Sequence, residues 1–129
     1  MKLTKAERAT LASMFVGRCA YCGDPLGGRW HADHKDPVLR GYAEPSAENP
    51  TGILHTHRDV IDNMMPSCAP CNLDKASYTL EQWRTKLEGS AASLTRYSST
   101  YRHAFRFGLV RPVAERVTFH FERATEVQP

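Results

Sequence analysis

The cysteines are the residues whose spacing indicates chemistry most directly. The chain contains four, arranged as two C-x-x-C pairs that are far apart: Cys19 with Cys22, and Cys68 with Cys71. Two thiolates at this spacing can reach one ion, and two such pairs complete the tetrahedral four-cysteine site that is typical of structural zinc. Because thiolate then takes all four positions, none remains for a reactive water. We therefore predict a structural zinc ion.

Two other chemistries are open to C-x-x-C pairs. Disulfides would need an oxidising compartment, and the charged residues within 2–8 do not resemble the apolar core of a secretory signal. A thioredoxin-like redox motif would explain one pair but not both, and no βαβ pattern accompanies either pair. The sequence therefore favours zinc over both alternatives.

Oxygen and imidazole side chains near the cysteines are suited to phosphodiester hydrolysis. That reaction needs a base that activates water and a cation that stabilises charge on the phosphate and the leaving oxygen. His34 can accept a proton near neutral pH. Asp33 and Asn72 carry hard oxygen ligands, which favour Mg²⁺ or Mn²⁺. Since neighbours on an extended strand point to opposite sides, Asp33 and His34 need a bent backbone to act on one phosphate.

Taken together, these motifs resemble the HNH endonuclease family, over about residues 15–80. The motifs stand in the family's order: Cys19-x-x-Cys22, Asp33-His34 with Pro37, Asp62-Asn63 ahead of Pro66, and Cys68-x-x-Cys71-Asn72-x-x-Lys75. The resemblance implies a ββα-metal finger, in which a hairpin carrying Asp33 and His34 packs on a helix whose start presents Asn72. It also implies that Asn63 is structural and holds the histidine loop and its ring. More weakly, residues 117–122 resemble the ending of small free-standing phage HNH proteins.

The resemblance implies a metal-dependent DNA endonuclease that nicks or cuts duplex DNA. His34 would take a proton from water, and one divalent ion on Asp33 and Asn72 would stabilise the transition state, leaving 5′-phosphate and 3′-hydroxyl ends. Asn72 replaces the second histidine of the family name, as in many members, and disfavours zinc or nickel there. We expect a monomer or weak dimer in the cytoplasm, that of the bacterial host if a phage encodes it. The alternatives are a catalytically inactive zinc-stabilised nucleic-acid-binding module and a zinc protein that mediates protein contacts.

The net charge of +3 is unevenly distributed along the chain. Basic and acidic residues balance up to Cys71, and the excess lies after it, where arginines alternate with aromatic residues over 84–116. Such a segment is either a nucleic-acid surface or a solvated helix face with an aromatic core stripe. The candidate DNA contacts are Lys75, Arg96, Arg102 and Arg106, and Lys75 could equally be a solvated lysine on a helix surface.

Three other histidines have weaker assignments. His31 shares a strand face with Asp33, so it is either a further ligand or a surface residue, and we favour the latter. His55 and His57 lie in the 37–60 insertion without an obvious third metal ligand, so they are insertion residues that could touch DNA. Trp30 and Trp83 are expected to anchor the core.

Composition and periodicity predict one α+β domain over residues 1–129. With 41% hydrophobic and 24% charged residues the chain has ordinary globular usage, and no apolar run is long enough to span a membrane. We expect a small ββα-metal, treble-clef-like core at about 15–80 and a basic tail at about 90–124. The predicted helices cover 5–16, a segment from about 71, 79–87 and a segment from 98 or 99 to 108. A capping box of Thr4 and Glu7 would open the first, and Ser98 or Ser99 would cap the last. The predicted strands cover 29–33, 60–65 and 117–122.

Overall fold

The computed structural model describes residues 2–40 and 44–127, with side chains as far as Arg123. Within these residues the fold is α+β, as predicted. The elements are α1 (Lys5–Ser13), β1 (His31–His34), β2 (Met64–Ser67), α2 (Ala69–Lys75), α3 (Leu80–Glu88), α4 (Ser90–Tyr97), α5 (Ser99–Arg106) and α6 (His120–Val127). None of these helices has the length and apolar character needed to cross a membrane.

The described residues form two compact units. The first contains the residues up to Leu80 together with those from Thr118 onward, and the second is Glu81–Val117. Both cysteine pairs, both strands, α1, α2 and α6 therefore belong to the first unit. The arginine-rich segment at 84–116 belongs to the second.

Helix α1 begins at the capping box predicted from Thr4 and Glu7. The Thr4 hydroxyl accepts a hydrogen bond from the Glu7 amide at 3.1 Å, and the Glu7 carboxylate accepts one from the Thr4 amide at 2.9 Å. These two bonds satisfy amides that have no partner within the helix. Leu11 is the buried residue of the helix, which packs against β2.

The two strands form an antiparallel pair whose register runs from His31 opposite Ser67 to His34 opposite Met64. All four residues of β2 are buried. The strand predicted at 60–65 is observed at Met64–Ser67, so that Pro66 lies inside it, opposite Ala32. A proline is tolerated there because the described sheet has two strands, so one side of each strand faces no neighbouring strand. A residue on that side donates no hydrogen bond to the sheet, and the missing amide hydrogen of proline costs nothing. On that side, the Pro66 carbonyl accepts a hydrogen bond from the Ala20 amide at 2.8 Å.

The predicted strand at 117–122 is wrong, because α6 begins at His120. The Glu122 carboxylate accepts a hydrogen bond from the Phe119 amide at 2.9 Å, which supports the first turn of the helix. The amides of His120 and Phe121 donate to the carbonyls of Tyr21 and Ala20. Phe119 is fully buried and packs edge-on against the Tyr21 ring, with 5.7 Å between ring centroids. The alternation of Phe119 and Phe121 therefore reflects packing on the first cysteine pair rather than strand pairing.

The second unit is built from α3, α4 and α5. Trp83 is buried, as predicted for a core residue, while α4 was not predicted. Ser98 caps α5, since its hydroxyl accepts a hydrogen bond from the Tyr101 amide at 3.1 Å. Arg84 is also buried, and it forms an ion pair with Glu81 at 3.0 Å and donates to the Val117 carbonyl. One arginine of the arginine-rich segment is thus a buried residue that stabilises the second unit, not a solvent-exposed cation.

Gly23 should be sensitive to substitution. Its φ is +81°, and an added Cβ would lie 3.1 Å from the His120 ring. We expect Gly23→Ala to lower the free energy of unfolding by at least about 1–2 kcal/mol, the cost of left-handed backbone for an L-residue. Denaturant unfolding monitored by circular dichroism measures this loss.

Two other glycines separate backbone strain from crowding. Gly27 has φ +72° with open space around it, and Gly28 has open space without positive φ. Gly27→Ala should therefore show the strain alone and Gly28→Ala no loss. Equal stability of all three variants would contradict this account.

Candidate functional site

The four cysteines form one cluster, as predicted. Their Sγ atoms all lie within 4.8 Å of one another. The Sγ atoms of Cys22 and Cys68 are 3.8 Å apart, which matches the edge of about 3.8 Å in a tetrahedron with zinc–sulfur bonds of about 2.3 Å. Backbone amides support the sulfurs, since the Tyr21 amide donates to Cys19 Sγ at 3.4 Å and the Asp24 amide to Cys22 Sγ at 3.5 Å. The cluster could therefore hold a metal ion such as zinc.

Contacts between the sulfurs shift their protonation. A hydrogen bond from the Cys71 thiol lowers the pKa of Cys19, and the same contact raises the pKa of Cys71. Burial raises the pKa of Cys22 to about 11. Without a cation, the four neighbouring thiols therefore cannot all lose their protons readily, because each thiolate repels the next. A divalent cation at the centre would stabilise all four thiolates.

Both cysteine pairs are connected to β1 through the Asp33 carboxylate. Tyr21 lies between Cys19 and Cys22, and its hydroxyl donates to Asp33 Oδ2 at 2.5 Å. Lys75 lies one turn after Cys71, and its Nζ is 3.0 Å from the same oxygen. Burial, and then the negative charge of Asp33, raise the pKa of Tyr21, which keeps its hydroxyl protonated as a donor. Asp33 is therefore held from both sides of the cysteine cluster.

Lys75 is fully buried, so the prediction that it contacts DNA is wrong, as is its alternative of a solvated lysine. Besides its ion pair with Asp33, its ammonium donates to the His34 carbonyl at 2.8 Å. A buried ammonium is stable only where a charge and acceptors surround it, and Asp33 and the β1 backbone provide them. Its role is to position the end of β1.

The His34 ring is oriented by a residue that the sequence did not indicate. Nε2 lies 2.9 Å from Asp59 Oδ1, and since an ionised carboxylate can only accept, the ring donates through Nε2. Asp59 follows the short 3₁₀ turn Thr56–Arg58 within the predicted insertion. An acidic residue in a long loop forms no recognisable motif, so only the fold reveals this pair.

Asn63 holds the loop that follows β1, as the resemblance implied. Its amide nitrogen donates to the carbonyls of Asp36 and Arg58, both at 2.8 Å, and its side-chain oxygen accepts from the Asp36 amide at 3.0 Å. The Asn63 carbonyl also accepts from the Lys35 amide at 2.8 Å. Asn63 was further expected to hold the histidine ring, but the ring is bonded to Asp59 instead.

Asp33, His34 and Asn72 line one cavity of about 360 Å³, together with Arg40 and the exposed His31. Neighbouring residues can share it because β1 ends at His34, where the chain bends into the loop held by Asn63. Both contacts of Asp33 use Oδ2, and within the described chain nothing donates to Oδ1. The half-buried amide of Asn72 likewise has no side-chain hydrogen bond to the described residues. One oxygen from each residue thus remains for a hard cation such as Mg²⁺, so the donor set fits.

The remaining predicted residues lie elsewhere. Arg96, Arg102 and Arg106 are in α4 and α5 of the second unit. Arg102 donates to the carbonyls of Thr95 and Arg96 at 3.1 Å, so it caps the end of α4. His55 and His57 are exposed with 5.9 Å between their ring centroids, outside the cavity lining.

Metal removal tests the cysteine cluster. We expect one zinc ion per chain by elemental analysis, and a tetrahedral thiolate spectrum after cobalt substitution, because four Sγ atoms surround one position. Cys71→Ser should lose the ion and its stabilisation, and chelation should lower the unfolding temperature of the wild type. Wild-type protein purified without metal and unaffected by chelators would contradict this prediction.

The buried ion pair can be tested by removing one charge and then both. Lys75→Met should lower the free energy of unfolding by about 3 kcal/mol, because Asp33 is left charged and buried. Asp33→Asn combined with Lys75→Met should recover much of the loss. Lys5→Met, at an exposed position of α1, is the matched control, and denaturant unfolding is the measurement. A loss no larger than that of the control would show that the pair contributes nothing.

Comparison with known proteins identifies no family for this chain. No protein-family model, curated protein or solved structure matches it.

Proposed function

We propose that this protein is a metal-dependent endonuclease that hydrolyses phosphodiester bonds in DNA, by nicking or by double-strand cleavage. One observation carries the proposal: Asp33, His34 and Asn72 line a common cavity in which the His34 ring is oriented by a carboxylate. A histidine paired with a carboxylate, beside two oxygen atoms that accept no hydrogen bond from the described residues, provides the groups that metal-assisted hydrolysis of a phosphodiester needs.

Asp33 and Asn72 are the residues that would hold the cation, which when bound supplies electrostatic stabilisation of the charge that builds up on the phosphate. The charge of the Asp33 carboxylate is already balanced by Lys75 at 3.0 Å. The two protein oxygens therefore bring little net negative charge to a cation. Magnesium sites commonly combine few protein ligands with substrate phosphate and water, so we expect the DNA to supply part of the ligand set.

His34 is the general base in this proposal. With Nε2 donating to Asp59, the neutral ring has its acceptor lone pair on Nδ1. Nδ1 takes a proton from water, the oxygen attacks phosphorus in line, and the bond to the 3′-oxygen breaks. The departing 3′-oxygen takes a proton from solvent water, and His34 returns its proton to solvent. The products carry 5′-phosphate and 3′-hydroxyl ends. Asp59 holds the ring and stabilises the imidazolium that forms, as a carboxylate does for the histidine of a catalytic triad.

The four cysteines act structurally in this proposal, most simply through zinc. Tyr21 and Lys75 extend from the two cysteine pairs to Asp33, so a metal that fixes the pairs also fixes the carboxylate.

An enzyme of this kind would act in the cytoplasm, in that of the host if a phage encodes it.

A catalytically inactive DNA-binding module is the second candidate, and one observation favours it. The Asp33–Lys75 pair is electrically complete without a cation. A module of this kind would bind DNA with a strong dependence on salt but would not cut it.

Cleavage of supercoiled plasmid with Mg²⁺ or Mn²⁺ tests the enzyme directly. His34→Ala should lower the nicking rate at least about a hundred-fold, since general base catalysis contributes about 10²–10⁴. Asp59→Asn should lower it less, because the ring keeps its acceptor but loses its charged partner.

His103→Ala, an exposed position on α5, should nick at the wild-type rate and serves as the control. Circular dichroism and zinc content should stay unchanged in all variants. Wild-type protein that binds DNA without nicking it in either metal would favour the binding module. Nicking by His34→Ala at the control rate would remove His34 from the mechanism.

A further inference from the structure

A second cavity adjoins the proposed active site. It has a volume of about 440 Å³ and shares His31, His34 and Arg40 with the first. It also reaches Lys2, Arg8 and Trp30, which the first cavity does not. Since His34 lines both cavities, a ligand that extends past the proposed base would enter the second one.

Three cationic side chains line this second cavity, two from the N-terminal segment and one from the loop after β1. Lys2 precedes α1, Arg8 lies on α1, and Arg40 lies beyond β1. None of the three forms an ion pair with a carboxylate in residues 2–40 or 44–123. Asp59 is the acidic residue of the lining, and its Oδ1 is bonded to His34. The cavity therefore carries excess positive charge.

Trp30 positions one of these cations. The guanidinium carbon of Arg8 lies 4.2 Å from the centre of the Trp30 ring. A guanidinium stacked on an aromatic face is held in orientation but keeps its N–H edge available for an anion. Because the stacked Arg8 side chain is already restrained, it loses little conformational entropy when a phosphate binds.

We propose that the second cavity binds a backbone phosphate of the DNA that flanks the phosphate being cleaved, through Arg8 and Arg40 with support from Lys2. This inference rests on the proposed function, because it treats the first cavity as the place of cleavage. It differs from the expectation of a basic tail, since the cations belong to the first unit and surround His34. The flanking contact would hold the strand in place so that the scissile phosphate faces His34.

The test compares two double variants that lose the same charge. Arg8→Gln with Arg40→Gln removes cavity cations, while Lys5→Gln with Arg29→Gln removes exposed cations that line neither cavity. Binding to a short DNA duplex is measured in the His34→Ala background, so that no cleavage interferes, at a series of salt concentrations. The cavity variant should reduce the steepness of log K against log salt by about one, because the two arginines contact one phosphate and each neutralised phosphate contributes about 0.9. The control should keep the slope.

Cleavage kinetics provide the second readout. With His34 intact, the cavity variant should raise KM with kcat within about two-fold if the contact binds substrate and transition state equally. Equal slopes and equal KM for the two double variants would overturn the subsite. If the wild type binds DNA without cleaving it, and the salt slope still depends on the cavity arginines, the endonuclease proposal would be overturned. The second cavity would then remain a phosphate-binding site. A wild type that neither binds nor cleaves DNA would overturn both.

Discussion

The buried carboxylate of Asp33 is the group on which the rest of the site depends. Taking a carboxylate out of water is costly unless it is paired and hydrogen-bonded, and here a fully buried ammonium and a tyrosine hydroxyl compensate it. Lys75 follows one cysteine pair and Tyr21 lies inside the other. Satisfying one charge therefore requires both cysteine pairs, α2 and β1 to be in place together, which links the cysteine cluster to the cavity by direct contacts.

The loop after β1 and the His34 ring are held by Asn63 and Asp59, not by the contacts of Asp33. Asn63 makes three side-chain hydrogen bonds to the backbone of two loops, and this fixes the position at which β1 ends. Asp59 then reaches the His34 ring from the same loop region. The ring is thus placed by a neutral amide network and oriented by a single carboxylate. Because these bonds are to backbone and to one ring nitrogen, they leave the cavity side of Asp33 and Asn72 available.

Charge in this protein is used differently from what its distribution along the chain suggests. The excess of basic residues lies after Cys71, yet Lys75 and Arg84 are buried and paired, and Arg102 caps a helix. The half of the chain with no net charge, in contrast, brings Lys2, Arg8 and Arg40 to one cavity. Linear charge counts cannot separate cations that compensate interior carboxylates from cations that face a ligand, because that difference is one of burial.

Local chemistry explains what the sequence by itself determined. The Thr4–Glu7 capping box and the Ser98 cap depend on residues a few positions apart, so spacing was sufficient to predict them. The two C-x-x-C pairs are far apart in the chain, but the residue type and the spacing within each pair indicated one shared metal-binding cluster. The grouping of Asp33 and His34 with Asn72 was an expectation from the family resemblance. Asn63 was expected to hold both the loop and the histidine ring, and it holds the loop but not the ring, which is bonded to Asp59. Only the tertiary structure decided that Lys75 is buried, that Asp59 orients His34 and that residues 120–127 are helical. Each of these outcomes depends on groups distant in sequence, since burial sets the cost of a charge and long-range backbone contacts can override a local alternation.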